Sequence, residues 1–329
     1  MDIPSLENLA REGLIREEAV TVARAEEEKG LFSVHWEVSL VLYLGVLLLS
    51  GGLGILIYKN IDTIGHQAIL ALIAAISGGC FYYCFRKVAP FRVQKIESPN
   101  ALFDYVLLLG CLTLLSFVAY LQFQYGVFGT RYGLATFIPM VLMFGVAYRF
   151  DHLGILSIAI TNLAAWAGIA LTPKSLLTAN DFSSESLIFT GLALGVVLVA
   201  AGLLSERRSI KPHFSFTYRN FGTHLLLVAC LAGMFHFDGF NFVWFLLLAA
   251  IVTGVIRMAM KERSFYFILF AQLYGYVGLS YMILYLIFSG DGAGEGTIFL
   301  AILYFITSAI GLIMLMMRFN RKLKKDAGV

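Results

Sequence analysis

The chain has 329 residues, of which 59% are hydrophobic and 14% charged, and its formal net charge is +3. With a mean hydropathy of +0.82, water is excluded as the solvent for most of its surface, and a soluble enzyme or nucleic-acid-binding domain is excluded with it. The composition predicts an all-α fold: a polytopic membrane helical bundle of about ten transmembrane helices, with a small cytosolic helical hairpin at the N-terminus.

The first 37 residues are the only polar block long enough to fold in water. They hold Asp2, Glu7, Glu12, Glu17, Glu18, Glu26, Glu27, Glu28 and Glu37, which is not the basic start of a cleaved signal peptide, so the first span is expected to stay in the mature protein. Leu6 and Leu9 open a short helix, Gly13 interrupts it, and the segment from Arg16 to Lys29 suits a second helix that Gly30 ends. A two-helix unit of this size buries too little to stand alone. Its apolar face, Leu6, Leu9, Leu14, Ile15, Ala19 and Val22, is therefore a candidate protein-interaction surface, for a partner or for self-association through residues 5–29. Leu31, Phe32 and Trp36 then form an interfacial lead-in.

Val38 to Tyr58 contains no charged residue and is long enough, at about 1.5 Å per residue, to cross a hydrocarbon core of about 30 Å. Further crossings are expected near 67–85, 102–121, 134–148, 152–171, 187–204, 221–237, 240–256, 265–288 and 297–317. Tight pairs around Asp151 and Asp238 leave eight or nine as the competing count. The domain plan is thus 1–37 cytosolic unit, 38–317 transmembrane domain and 318–329 basic cytosolic tail. With the N-terminus inside, 21 of the 24 basic residues fall on the cytoplasmic side, leaving only Lys59, Arg131 and Lys174 outside. That bias predicts a bacterial cytoplasmic (inner) membrane protein with both termini cytoplasmic.

At the junction of the N-terminal block and the first spans a family pattern is legible. Leu6, Leu9, Gly13-Leu14-Ile15, the helix through Glu17 to Ala23, Tyr43-Leu44-Gly45, Gly51 to Gly54, Lys59-Asn60-Ile61-Asp62 and Gly65 together resemble the predicted membrane-protein family catalogued as domain of unknown function 2157. The resemblance is best over about residues 5–70, and Ile61 stands where family members typically carry Trp. It implies a helical pair followed by many spans, and no substrate or catalytic role.

Ionisable side chains at mid-depth mark function in membrane proteins, and this sequence places almost none there. Asp104, Arg149, Asp151 and Arg257 all lie near span ends, within reach of the interface. The neutral polar residues Thr113, Asn162, His224 and Gln272 remain, with Tyr274 and Tyr281 in the tyrosine-rich ninth span. Each either lines a ligand cavity or bonds between helices, with Asn162 and Gln272 the deepest. Cys80 and Cys84 share a helix face without a third soft ligand, so no metal is expected, and no motif points to a cofactor or a catalytic group. Basic loops at Arg86 to Lys95 and Glu206 to Arg219 are read as contacts to anionic membrane lipids; no nucleic acid is expected.

Two functions are carried forward. One is a non-enzymatic scaffold or sensory partner working through the N-terminal helices. The alternative is a transporter, flippase or channel for a lipid-like or weakly polar solute, built around Asn162, Gln272 and the ninth span. A lipid-modifying enzyme would instead require serine, histidine and aspartate side chains to converge at the interface.

Overall fold

The computed structural model describes residues 35–129, 132–171, 185–289 and 295–326. These residues form ten α-helices and no strand: α1 His35–Ile64, α2 His66–Lys87, α3 Ala101–Tyr125, α4 Tyr132–Phe150, α5 Leu153–Leu171, α6 Glu185–Arg207, α7 Phe214–His236, α8 Asn241–Lys261, α9 Phe265–Phe288 and α10 Glu295–Asp326. All ten fall where the apolar runs predict crossings, and the chain is a polytopic membrane helical bundle. The N-terminal hairpin lies outside the described residues. Residues up to Asn60 form one unit and those from Ile61 another. In the first, α1 carries an apolar window, Val38–Ile55, in which the Ser50 hydroxyl bonds back to the Leu47 carbonyl at 3.0 Å.

Within the second unit, consecutive helices pack side by side as α2 with α3, α4 with α5, α6 with α7, α8 with α9 and α9 with α10. Local chemistry sets the boundaries. Asn100 caps α3 by accepting the Phe103 N–H at 2.8 Å, and Gly126 ends it in the left-handed region at φ 56°. His152 opens α5, its Nδ1 accepting the Ile155 N–H at 3.2 Å. Pro139 sits inside α4 without ending it.

Among the described residues, eight helices are long and apolar enough to cross a membrane; α5 contributes a shorter apolar stretch, Leu153–Gly168, and α7 is not among the eight. The reason lies in what surrounds α7. It packs against α5, α6, α8 and α9, and it buries Ser215, Thr217, Arg219 and Thr223 along with its apolar residues. A helix surrounded by protein can carry groups that lipid would reject. Its contact with α6 is close because the facing positions are glycine: a Cβ on Gly222 would meet the Val199 backbone nitrogen at 2.8 Å and the Gly195 carbonyl oxygen at 2.9 Å.

Three buried clusters follow from this order. One joins α2 to α7 around Phe103, Met143, Ile155 and Phe214; a second joins α6 to α9 around Leu227, Met234, Trp244 and Leu248. The third joins the ends of α8 and α9 to Leu323 and Phe319 of α10. The segment expected as a basic tail from 318 therefore continues α10 as helix to Asp326 and packs through Leu323.

Candidate functional site

The polar residues singled out in the sequence separate into two groups. Thr113 donates to the Leu109 carbonyl at 2.8 Å and Asn162 to the Ile158 carbonyl at 2.9 Å, so each bonds its own helix one turn back. They line nothing. His224 of α7 joins α9, with Nδ1 3.2 Å from the Tyr274 hydroxyl and Nε2 3.5 Å from that of Tyr266, which donates to Asn220 at 2.8 Å. The Tyr281 hydroxyl accepts from Asn241 at 3.3 Å, and its ring meets Phe235 edge-on. These are interhelical bonds. The interaction face Leu6, Leu9, Leu14, Ile15, Ala19 and Val22 lies outside the described residues.

Gln272 is different. It is 5% exposed, and neither its Oε1 nor its Nε2 has a hydrogen-bond partner. It lines a cavity of about 370 Å³ between α8, α9 and α10, whose other walls include Val252, Ile256, Tyr276, Leu279, Tyr304 and Leu315. That volume lies within the range of small-molecule sites, about 300 to 1,000 Å³. Room exists because Gly275 and Gly311 stand in the wall. An added Cβ on Gly311 would meet nothing within 4 Å. Two hydroxyl pairs bridge α9 and α10 beside the cavity, Tyr276 with Ser308 at 3.0 Å and Ser280 with Tyr304 at 2.8 Å. No Asp, Glu, Lys, Arg or His is among the lining residues. A smaller hollow of about 200 Å³ lies between α5, α6 and α7, bordered by His224 and Phe221.

A second polar centre sits in the connections between helices, and the sequence reading missed it. The Asp151 and Lys211 side chains are wholly buried and paired at 2.9 Å, and His213 Nε2 lies 2.6 Å from the other Asp151 oxygen. The Ile96 N–H also donates to Asp151. Lys211 Nζ donates to the Gln94 carbonyl at 3.3 Å and lies over the Phe91 ring. Asp151 and Lys211 both take left-handed backbone, φ 62° and 49°. Arg219 pairs with Glu262 through both oxygens and approaches Glu206 at 3.5 Å. Lys211 and Arg219, expected among lipid-facing cations, are thus spent inside the protein. The available signal was an isolated acid, Asp151, among basic connections; its partner 60 residues away carried none.

Asp151 and His213 meet, as a lipid-modifying enzyme would need, yet the serines beside them are otherwise engaged. Ser205 donates to the Ile210 carbonyl at 2.7 Å and Ser215 to Glu206 at 3.3 Å. Near the same connection, burial pushes the His152 imidazole below its usual value, with Asp104 at 4.0 Å opposing the shift. Its Nδ1 is occupied as an acceptor, which places the ring proton on Nε2, the nitrogen facing Asp104. Among the described residues, no group of three or more His, Cys, Asp or Glu side chains is placed to hold a metal ion.

Fold and site define a multi-span helical membrane protein with an uncharged, partly open cavity between three of its helices. Residues 7–156 match the model of the family described as predicted membrane protein, domain of unknown function 2157. The match runs past the stretch of closest resemblance, through α4 and into α5, and it stops short of the helices that form the cavity. No curated protein and no solved structure matches the chain.

Proposed function

We propose that the protein takes up a lipid-like, weakly polar solute in the cavity between α8, α9 and α10, acting as a transporter or flippase for it. The observation that carries this reading is the cavity itself, about 370 Å³, with a mostly apolar lining that holds no charged side chain. A neutral solute fits walls that carry no charge. The scaffold or sensory alternative rests on residues 5–29, outside the described residues, so the cavity gives the stronger argument. The charge bias supports a bacterial cytoplasmic membrane with both termini inside.

The test is flux of a short-chain fluorescent lipid analogue in proteoliposomes containing the wild-type protein or Gly311→Leu, whose new side chain fills the cavity. Faster flux with wild type than with either Gly311→Leu or protein-free vesicles is expected. Equal rates in all three would remove the transport reading.

A further inference from the structure

We propose that the occupant of this cavity is a single-chain lipid with an anionic head, a long-chain carboxylate, whose tail lies between α8, α9 and α10 and whose head sits at Arg318 and Lys322 of α10. This rests on the cavity being the solute site.

Gly311 and Leu315 of α10 line the cavity, and Arg318 and Lys322 follow them at the i, i+4, i+7, i+11 spacing that keeps residues on one helix face. That stripe passes from hydrocarbon to positive charge about one turn beyond the last lining residue. Both cations are exposed. Phe319 and Leu323 each follow a cation by one residue, and they seat α10 against the cluster of Val255, Ala259 and Phe267. Successive residues lie about 100° apart around a helix, so Arg318 and Lys322 flank this seam instead of standing on the far side of α10. At 32 residues α10 is about 48 Å long, more than a hydrocarbon core of about 30 Å, which leaves its charged last turns at headgroup depth.

The charge of the head follows from what this end of the bundle offers. Lys261, in the last turn of α8, and Arg263, in the turn after it, are exposed at the same end and add to the positive field. The acid between them, Glu262, is already held by Arg219 through both oxygens. An alkane or an alcohol leaves the cations unused, and an ammonium head meets like charge. A carboxylate matches the planar fork of an Arg guanidinium. The uncharged walls then receive only hydrocarbon, against Val252, Ile256 and Leu315, and no charge enters the cavity. At about 370 Å³, near the small end of ligand sites, the cavity suits one chain.

The experiment is equilibrium binding of radiolabelled hexadecanoate or hexadecanol to the full-length protein in phosphatidylcholine nanodiscs, at a pH well above the carboxyl range and counted above protein-free nanodiscs. The carboxylate should bind wild type about threefold to tenfold more tightly than the alcohol, as expected for two solvated charge pairs. Added salt should narrow that gap by screening the cations and leave the alcohol unchanged. In Arg318→Gln combined with Lys322→Gln the carboxylate should fall to the level of the alcohol, whose own binding stays as in wild type. Arg318→Lys combined with Lys322→Arg should keep the preference. Gly311→Leu should abolish binding of both probes. If both bind wild type equally and both are lost in Gly311→Leu, the anionic-head inference is overturned and the cavity reading stands. A preference that survives the double glutamine variant overturns it too. Loss of both probes when phosphatidylglycerol replaces part of the phosphatidylcholine gives the cavity to a two-chain lipid and overturns the single-chain assignment. Absence of binding by either probe, or binding indifferent to Gly311→Leu, overturns the cavity reading itself.

Discussion

A charge buried without water is tolerated only while its partner is present, and Lys211 is such a charge, wholly buried against Asp151. Asp151→Asn should therefore cost about 3 to 5 kcal/mol, read as a shift in denaturant unfolding of the detergent-solubilised protein. Adding Lys211→Met should restore much of that loss, because the unpaired ammonium is gone. Gln272→Leu runs the other way. It removes a buried amide that has no partner and should stabilise the protein by about 1 to 3 kcal/mol, whereas Thr113→Val, which removes a satisfied hydroxyl, should not. His152 supplies the pH dependence. Its folded pKa is lowered, so below about 6.5 the unfolded chain binds a proton that the folded chain refuses. Stability present above that pH is lost as pH falls toward the folded value, and His152→Asn, which keeps a capping group, should flatten the slope of melting temperature in that window. Of these residues only Gln272 and Thr113 were legible as candidate site residues. A lone amide in an apolar run announces itself, while Lys211 looks like any loop lysine until the left-handed turns at Asp151 and Lys211 bring the pair together.

At the scale of elements, hydropathy located all ten helices because lipid imposes a length and an apolar surface that the sequence displays directly. Which helix faces protein instead is a packing outcome, and α7 shows it only faintly, through Arg219, Thr223 and His224 in its first half. Glycine illustrates the same limit. Gly51, Gly52 and Gly54 cluster in α1, yet an added Cβ there meets nothing within 4 Å among the described residues, while Gly195 and Gly222 hold α6 and α7 in backbone contact. The four-residue spacing of Gly191 and Gly195 is the signal available on α6; Gly222 carries none of that kind. Gly278 of α9 also packs closely, its added Cβ falling 2.2 Å from Leu248 Cδ2. Gly222→Ala must push the Val199 backbone away and should destabilise by about 1 to 3 kcal/mol, with Gly52→Ala near neutral in the same melting assay.

At the scale of the unit from Ile61 onward, ionic and hydrogen-bonded contacts join alternate connections to one another. Ala89, Val93, Gln94 and Ile96, between α2 and α3, bond to Arg149 and Asp151 near the α4–α5 turn and to Lys211 between α6 and α7. Arg219, early in α7, reaches Glu262 after α8. Four connections thus share one end of the bundle, and they are the four in which the sequence concentrates its inner basic loops. The α3–α4 connection is held instead by a neutral group, Gln122 bonding the Gly129 carbonyl and the Phe128 N–H. Positive charge held on one side opposes translocation of that side, so geometry and charge bias make the same demand on orientation. Single cysteines at exposed Arg92 and Lys261 should react with an impermeant maleimide only after cells are opened, while one at Asp238, between α7 and α8, should react in intact cells. The unsubstituted chain is the blank, since Cys80, Cys84, Cys111 and Cys230 lie within helices. Labelling of Arg92→Cys and Asp238→Cys from the same face would contradict the alternation itself; labelling of both in reversed order would keep the bundle and invert it in the membrane.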